Sequence, residues 1–347
     1  MHMADALISP IVGGTMWAAT AGVATYSIKR LQTNLEEEKI PLMGVMGAFV
    51  FAAQMINFTI PGTGSSGHLG GGMLLAAILG PYAGFIAMAS ILIIQALFFA
   101  DGGLIALGCN IFNLGFYTCF IAYPLIYKKI LGKGYSKKRI TWASMASAII
   151  GLQLGAFSVV LQTLLSGKTE LPFLTFLGLM QPIHLAIGIV EGVVTAAVVS
   201  FIWSARPNTV EGFSKEESNP KSTKRILVPL IIAAFLVGGV LSLFASSNPD
   251  GLEWAIFKTS GQEEIESSYK SHDKAQSLQE TTAILPDYSF KASENSEKGP
   301  SALAANAGTS ISGMVGGIMT LVFAVTVGAI INFIKKRKAL KENKRFN

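Results

Sequence analysis

Apolar residues run in long blocks along this chain, and short polar stretches separate them. Read in order, the blocks predict membrane spans at about 9–28, 41–58, 83–100, 105–126, 140–165, 173–203, 226–244 and 311–334. A ninth block, Met73–Leu79, is closed by Gly80–Pro81 and is short for a span, so it reads as either a crossing or a re-entrant segment. The expected fold is an all-α integral membrane protein. Its first bundle holds about seven helices (1–205), and a two-helix C-terminal module follows (226–347). The polar, turn-rich stretch 206–225 reads as a linker, and 246–308 as a hydrophilic loop between the last two spans.

Composition agrees with this pattern. Of 347 residues, 51% are hydrophobic and 14% charged, which excludes an ordinary soluble domain. The net charge of +6 is unevenly placed. Lys128, Lys129, Lys133, Lys137, Lys138 and Arg139 form one basic loop, and Lys335–Lys338 form another cluster. The positive-inside rule puts these, with the linker, in the cytoplasm and the acidic 246–308 loop outside. Two spans separate the N-terminus from the glycine-rich stretch at 61–72, so both lie on one side whatever Met73–Leu79 does. The preferred side is the outside. Met1–Pro10 lacks a basic n-region and a cleavage site follows nowhere in the first block, so an uncleaved start is expected. Cys109 and Cys119 read as buried thiols.

The candidate chemistry lies at that start. The amine of Met1, the amide nitrogen of His2 and its imidazole Nδ1 are close along the chain. Amine and amide close a five-membered ring on a metal, and amide and Nδ1 close a six-membered ring. A fourth donor completes a plane, and His68, the one strong ligand in Pro61-Gly-Thr-Gly-Ser-Ser-Gly-His68-Leu-Gly-Gly-Gly72, is the natural source. Four nitrogens in a plane suit Ni(II) or Cu(II) better than Zn(II). Asn57, Gln95, Asn110 and Asn113 are candidates to orient these donors. His184 and Glu191, seven apart on one helix face, are either a satisfied contact between helices or a relay on the ion's path. His272 in the outer loop reads as solvated. Gly14, Ala18 and Gly22 form a small-residue face, either packed within the bundle or open to another membrane subunit. Gly167-Lys168-Thr169 lacks the upstream glycine of a phosphate loop, so no nucleotide site is expected. Competing classes are a metal-dependent membrane enzyme, a structural subunit without a ligand, and a stand-alone secondary metal permease.

The opening Met1-His2-Met3-Ala4-Asp5-Ala6-Leu7-Ile8-Ser9-Pro10 and the His68 loop resemble the substrate-binding M component of nickel/cobalt energy-coupling-factor transporters. The stretch Pro249-Asp-Gly-Leu-Glu253 resembles the signature of their small N component, so the chain looks like an M–N fusion. The resemblance implies that Met1, His2 and His68 bind Ni(II), with Co(II) the close alternative. It implies no enzyme activity and no nucleic acid. It also implies a membrane coupling (T) subunit and cytoplasmic ATPase subunits as partners. Family starts often carry Pro and Gly where this chain has Ala4 and Ala6.

Overall fold

A computed structural model describes residues 2–132, 134–205, 220–263, 265–266, 269–290 and 302–346. Met1, the linker residues 206–219 and loop residues 291–301 lie outside the described residues.

Helix α1 (Pro10–Asn34) begins where Ser9 Oγ accepts from the Val12 N–H at 3.3 Å, with Pro10 in its first turn. Helix α2 (Lys39–Gln54) returns and is buried along almost its whole length. It ends four residues before the expected limit. The chain instead enters a hairpin of β1 (Phe58–Ile60) and β2 (Ser65–Gly67), antiparallel with Thr59 opposite Ser66. Short helix α3 (Gly72–Leu79) is entirely buried and turns at Gly80 into α4 (Pro81–Phe99). The next leg, Leu107–Leu131, comprises α5 (Leu107–Ile111), a stretch of wider π-type turns (Phe112–Tyr127) and α6 (Lys128–Leu131). Long helices α7 (Lys137–Leu165) and α8 (Phe173–Ala205) pack side by side. The C-terminal part holds α9 (Pro220–Gly239), α10 (Gly251–Ser260), α11 (Lys270–Thr282) and α12 (Ala302–Phe346).

Six helices among the described residues are long and apolar enough to cross a membrane: Pro81–Phe99, Leu107–Leu131, Lys137–Leu165, Phe173–Ala205, Ile226–Phe244 and Ala307–Lys341. The all-α membrane fold stands. Ile150, Phe157, Ile189, Phe235, Val322 and Phe333 are exposed on these helices, as expected of surfaces that meet lipid tails. The core lies deeper, around Met43, Met46, Phe51, Met73, Phe85 and Phe99. The C-terminal module is fastened to it by close helix contact: a Cβ on Gly316 of α12 would lie 2.0 Å from the Phe51 ring.

Contacts at the two ends show how the legs alternate. At one end Lys336 pairs with Glu37 at 2.6 Å, and Lys335 Nζ donates to the Leu35 carbonyl at 2.8 Å. At the other end His2 meets Asp101 at 3.0 Å, Ser246 N–H donates to the Asn57 carbonyl at 2.7 Å, and Ser66 N–H donates to the Pro249 carbonyl at 2.8 Å. Met73–Leu79 therefore acts as a leg, because both His68 before α3 and Asp101 after α4 lie at the same end.

One expectation changes, and one open alternative is decided. His272 is buried, 2% exposed, and not solvated, because α11 folds down onto the bundle instead of standing off in water. The small-residue face of α1 is open: Cβ atoms on Gly14 and Gly22 would meet nothing within 4 Å, whereas neighbouring Gly13 packs on Ile105.

Candidate metal site

The first residues are pinned by a polar ladder. Met3 N–H donates to Asn110 Oδ1 at 2.8 Å, and Asn110 Nδ2 donates back to the Met3 carbonyl at 3.2 Å. Gly103 N–H donates to the same carbonyl at 2.9 Å, and Ala106 N–H donates to Asp5 Oδ1 at 2.8 Å. Buried backbone groups need such partners, so these bonds fix the path of the chain start. They deliver His2 onto His68, with the rings stacked at 5.1 Å between centroids and 14° between planes.

His68, a candidate ligand, presents one ring nitrogen with a lone pair. Its Nδ1 bonds the Leu69 carbonyl at 3.1 Å; a carbonyl only accepts, so Nδ1 carries the hydrogen and Nε2 keeps its lone pair. Burial pushes the imidazole down to about 4 against the pull of Asp250. The ring is therefore neutral at pH 7. Nε2 faces Asp250 Oδ2 at 4.0 Å.

Asp250 opens α10 as a capping box. Its Oδ1 accepts from the N–H groups of Leu252 (2.7 Å) and Glu253 (2.8 Å), and Glu253 Oε2 accepts from the Asp250 N–H at 2.9 Å. Burial pushes the Asp250 carboxyl up, but the positive charge of the chain start and hydrogen bonding to the Glu253 backbone hold it below its ordinary value. Asp101 is treated alike: burial raises it, yet its contact with His2 and the hydrogen bonds from His2 and Tyr288 hold it well below the usual carboxylate range.

The loop carrying His68 is held from three helices. Gly70 N–H donates to Glu191 Oε2 at 2.8 Å. The Gly70 carbonyl accepts from Gln54 Nε2 at 2.9 Å, and Gln54 Oε1 accepts from Gln95 Nε2 at 2.8 Å. Gln95 and Asn110 thus support the two arms of the site. Asn113 reaches Met3 Sδ at 3.8 Å and exchanges bonds with Gln162. Asn57 does not approach: its backbone carbonyl binds Ser246, and its side-chain Oδ1 has no partner. His184 donates through Nδ1 to the Met180 carbonyl at 2.8 Å. It lines a small cavity of about 10 Å³ with His68, Asp250, Gly70 and Ile187, and its Nε2 has no partner. Glu191 is one helical stretch away and holds the loop.

Among the described residues, no three His, Cys, Asp or Glu side chains converge to hold an ion by themselves. The two histidines bring two ring nitrogens. A fuller donor set at this point draws on backbone nitrogen, and Met1 lies outside the described residues. Asp101, Asp250 and Tyr288 were not singled out as site residues from the sequence. Asp101 sits alone between two apolar blocks, and Asp250 belongs to a conspicuous polar signature; those were the available signals.

An all-α membrane bundle with two stacked, carboxylate-flanked histidines at one end fits a membrane protein that handles a cation. Residues 2–209 match the family described as cobalt uptake substrate-specific transmembrane region, and the chain belongs to that family. Residues 224–333 match the PDGLE domain. The chain is similar to a metal transport protein of Haloquadratum walsbyi, 35% identical over 60% of this chain and 93% of that one. It is also similar to a protein of Archaeoglobus fulgidus named as a fused nickel transport protein, NikMN, 35% identical over 71% of this chain and 77% of that one. A crystal structure of a truncated transition metal transporter superposes with a TM-score of 0.52 at 30% identity, covering 59% of this chain and 99% of that chain.

Proposed function

We propose that this chain is the substrate-binding membrane component of an ATP-driven nickel importer of the energy-coupling-factor type. Ni(II) is its cargo, held by the Met1 amine, the His2 amide nitrogen and Nδ1, and His68 Nε2. The observation that carries this reading is the stacking of His2 on His68 at 5.1 Å, with His68 Nε2 left as a lone-pair donor. Asp101 and Asp250 add negative charge beside a divalent ion. Asn110 and Gln95 support the donor arms, Glu191 positions the His68 loop, and His184 lines the cavity beneath it. The basic clusters at the opposite end favour a cytoplasmic placement for that end and an outward-facing site in the cell membrane. ATP hydrolysis belongs to separate ATPase subunits, acting through a membrane coupling subunit. The residue ranges 1–205 and 226–347 serve as metal-binding bundle and N-like module.

The test is nickel binding by the purified full chain, as isolated, with one residue added ahead of Met1, and with His68→Ala. Both changes abolish tight binding on this reading, and unchanged affinity in either refutes it. Cobalt is the second cargo to test, because the matching family is described by cobalt uptake. Co(II) gains less than Ni(II) from a planar field, so nickel binds more tightly if the four nitrogens lie in a plane.

A further inference from the structure

The donor set just described needs the lone pair of His2 Nδ1, because only that nitrogen closes a six-membered ring with the residue's own amide. In the fold Nδ1 lies 3.0 Å from Asp101 Oδ2. An ionised carboxylate only accepts, so Nδ1 carries a hydrogen in this arrangement. The other ring nitrogen, Nε2, is buried without a hydrogen-bond partner. The ring stacks nearly parallel to His68, and parallel rings do not aim their nitrogens at one point.

Asp101 is itself gripped. The same Oδ2 accepts from the Tyr288 hydroxyl, which comes from the segment after α11. The Tyr288 ring lies on Phe99, 5.2 Å between centroids. Its neighbours are docked: Gln279 Nε2 donates to the Gly102 carbonyl at 2.8 Å and to the Ala96 carbonyl at 3.0 Å, and Ile284 N–H donates to the Phe98 carbonyl at 2.9 Å. Asp287 and Tyr288 have φ of 48° and 57°. Two consecutive L residues in the left-handed region are unfavourable and persist only where the surroundings impose them. Here the imposed conformation brings a phenol onto a carboxylate that touches His2.

We propose that Tyr288 is a positioning residue for metal capture: it fixes Asp101 as the anchor on which the His2 ring exchanges its nitrogens, Nδ1 leaving for the ion while Nε2–H takes its place on the carboxylate. This rests on the metal-site reading above. The exchange balances. The ring loses a hydrogen at Nδ1 and gains one at Nε2 through solvent, the ion takes the Nδ1 lone pair, and the His2 amide gives up its proton to solvent as its nitrogen binds. Nε2 thereby finds the partner it lacks. A metal-bound imidazole that donates its second N–H to a carboxylate is held in orientation and made a stronger donor. A carboxylate free to swing would follow Nδ1 or lose Nε2, and the phenol prevents both.

The test uses the full chain with ¹⁵N-labelled histidine, and nickel(II) alone as the probe. Two-bond ¹⁵N–¹H correlations identify the hydrogen-bearing nitrogen of each ring, and four histidines make assignment tractable. A planar four-nitrogen Ni(II) centre is diamagnetic, so the spectrum survives loading. His2 is expected to carry hydrogen on Nδ1 before nickel and on Nε2 after. Tyr288→Phe is expected to blur that preference and weaken nickel binding by about tenfold, the lower end for loss of a group behind a metal ligand. Asp101→Asn is expected to act in the same direction, and carries the test if Tyr288→Phe does not fold. An unchanged His2 tautomer on loading overturns the proposal. So does Tyr288→Phe with native affinity and native His2 signals. An N-terminal extension separates the two levels. If nickel still binds the extended chain, the site reading itself has failed. If extension abolishes binding while Tyr288→Phe changes nothing, only the positioning role has failed.

Discussion

Glu191 offers the sharpest test of how the His68 arm is held. Its Oε2 accepts the Gly70 N–H at 2.8 Å inside the bundle, and the Gly71 and Met73 amides act on the same carboxylate. The residue is 1% exposed. Two roles are open to such a group. As an anchor it needs only to accept a hydrogen bond; as a relay on the ion's path it needs to ionise. Glu191→Gln keeps the acceptor and removes the ionisable group, whereas Glu191→Ala removes both.

The magnitudes separate the cases. A hydrogen bond to a charged group contributes about 1.5–3 kcal/mol. If the whole of it keeps His68 in place, Glu191→Ala weakens nickel binding by roughly tenfold to a hundredfold. Glu191→Gln retains a neutral bond of about half the strength, so the loss stays near or below tenfold. The assay is competition for nickel against a chelating dye, on samples shown to be folded by gel filtration, with uptake measured in cells beside it. The anchor reading expects uptake to follow binding in both variants. Native binding by Glu191→Ala refutes the anchor. Native binding by Glu191→Gln with lost uptake points to the relay.

Other outcomes follow from the same geometry. Gly71→Ala places a Cβ 2.3 Å from Val50 Cγ1 at a φ of +78°, so overpacking and left-handed strain together cost about 2–5 kcal/mol and lower the melting temperature. Asp250→Asn keeps the helix cap but removes the charge facing His68, so α10 stays folded while nickel binding weakens about tenfold. The His68 imidazole, pushed down to about 4, should stay neutral in an NMR titration until well below pH 6. The sign follows from linkage: below its ordinary value near 6.5 the unfolded chain takes up the proton first. The folded form therefore loses up to about 3 kcal/mol as pH falls from about 6.5 toward 4, and nothing above that window. Melts at pH 7.5 and 4.5 check it, with His68→Gln showing the smaller loss.

The helical legs were legible because each is a local property of its own block: a run of apolar residues long enough to span lipid names itself. The candidate donors His2 and His68 stand out in the sequence for a similar reason, since one lies beside the chain start and the other stands in a run of glycines. What surrounds them was not. Asp101 reaches His2, Tyr288 reaches Asp101 across 187 residues, and Asp250 reaches His68 across the linker. Such contacts leave no periodicity behind. His272 misled for the same reason: a polar neighbourhood in sequence says nothing of a helix folded back onto the bundle.

The doubtful leg explains why Asp101 in particular stayed hidden. The N-terminus and His68 are two helices apart, α1 and α2, so they share an end whatever follows. Asp101 joins them only if α3 reverses the chain. At about 1.5 Å per residue, eight helical residues rise about 12 Å, short of the roughly 30 Å of a hydrocarbon core. The residues ahead of the helix, His68–Gly71, carry the chain on toward the roughly 28 Å rise of the 19 residues of α4, with Gly71 (φ 78°, ψ −7°) turning left-handed into α3. The glycines that bar a longer helix before Gly72 are what let an open backbone supply the missing half of the leg. That same open backbone carries His68. A uniformly helical crossing would have fixed the topology in the sequence, but it would have left no backbone N–H of Gly70 for Glu191, and no loop on which to present an imidazole to the chain start.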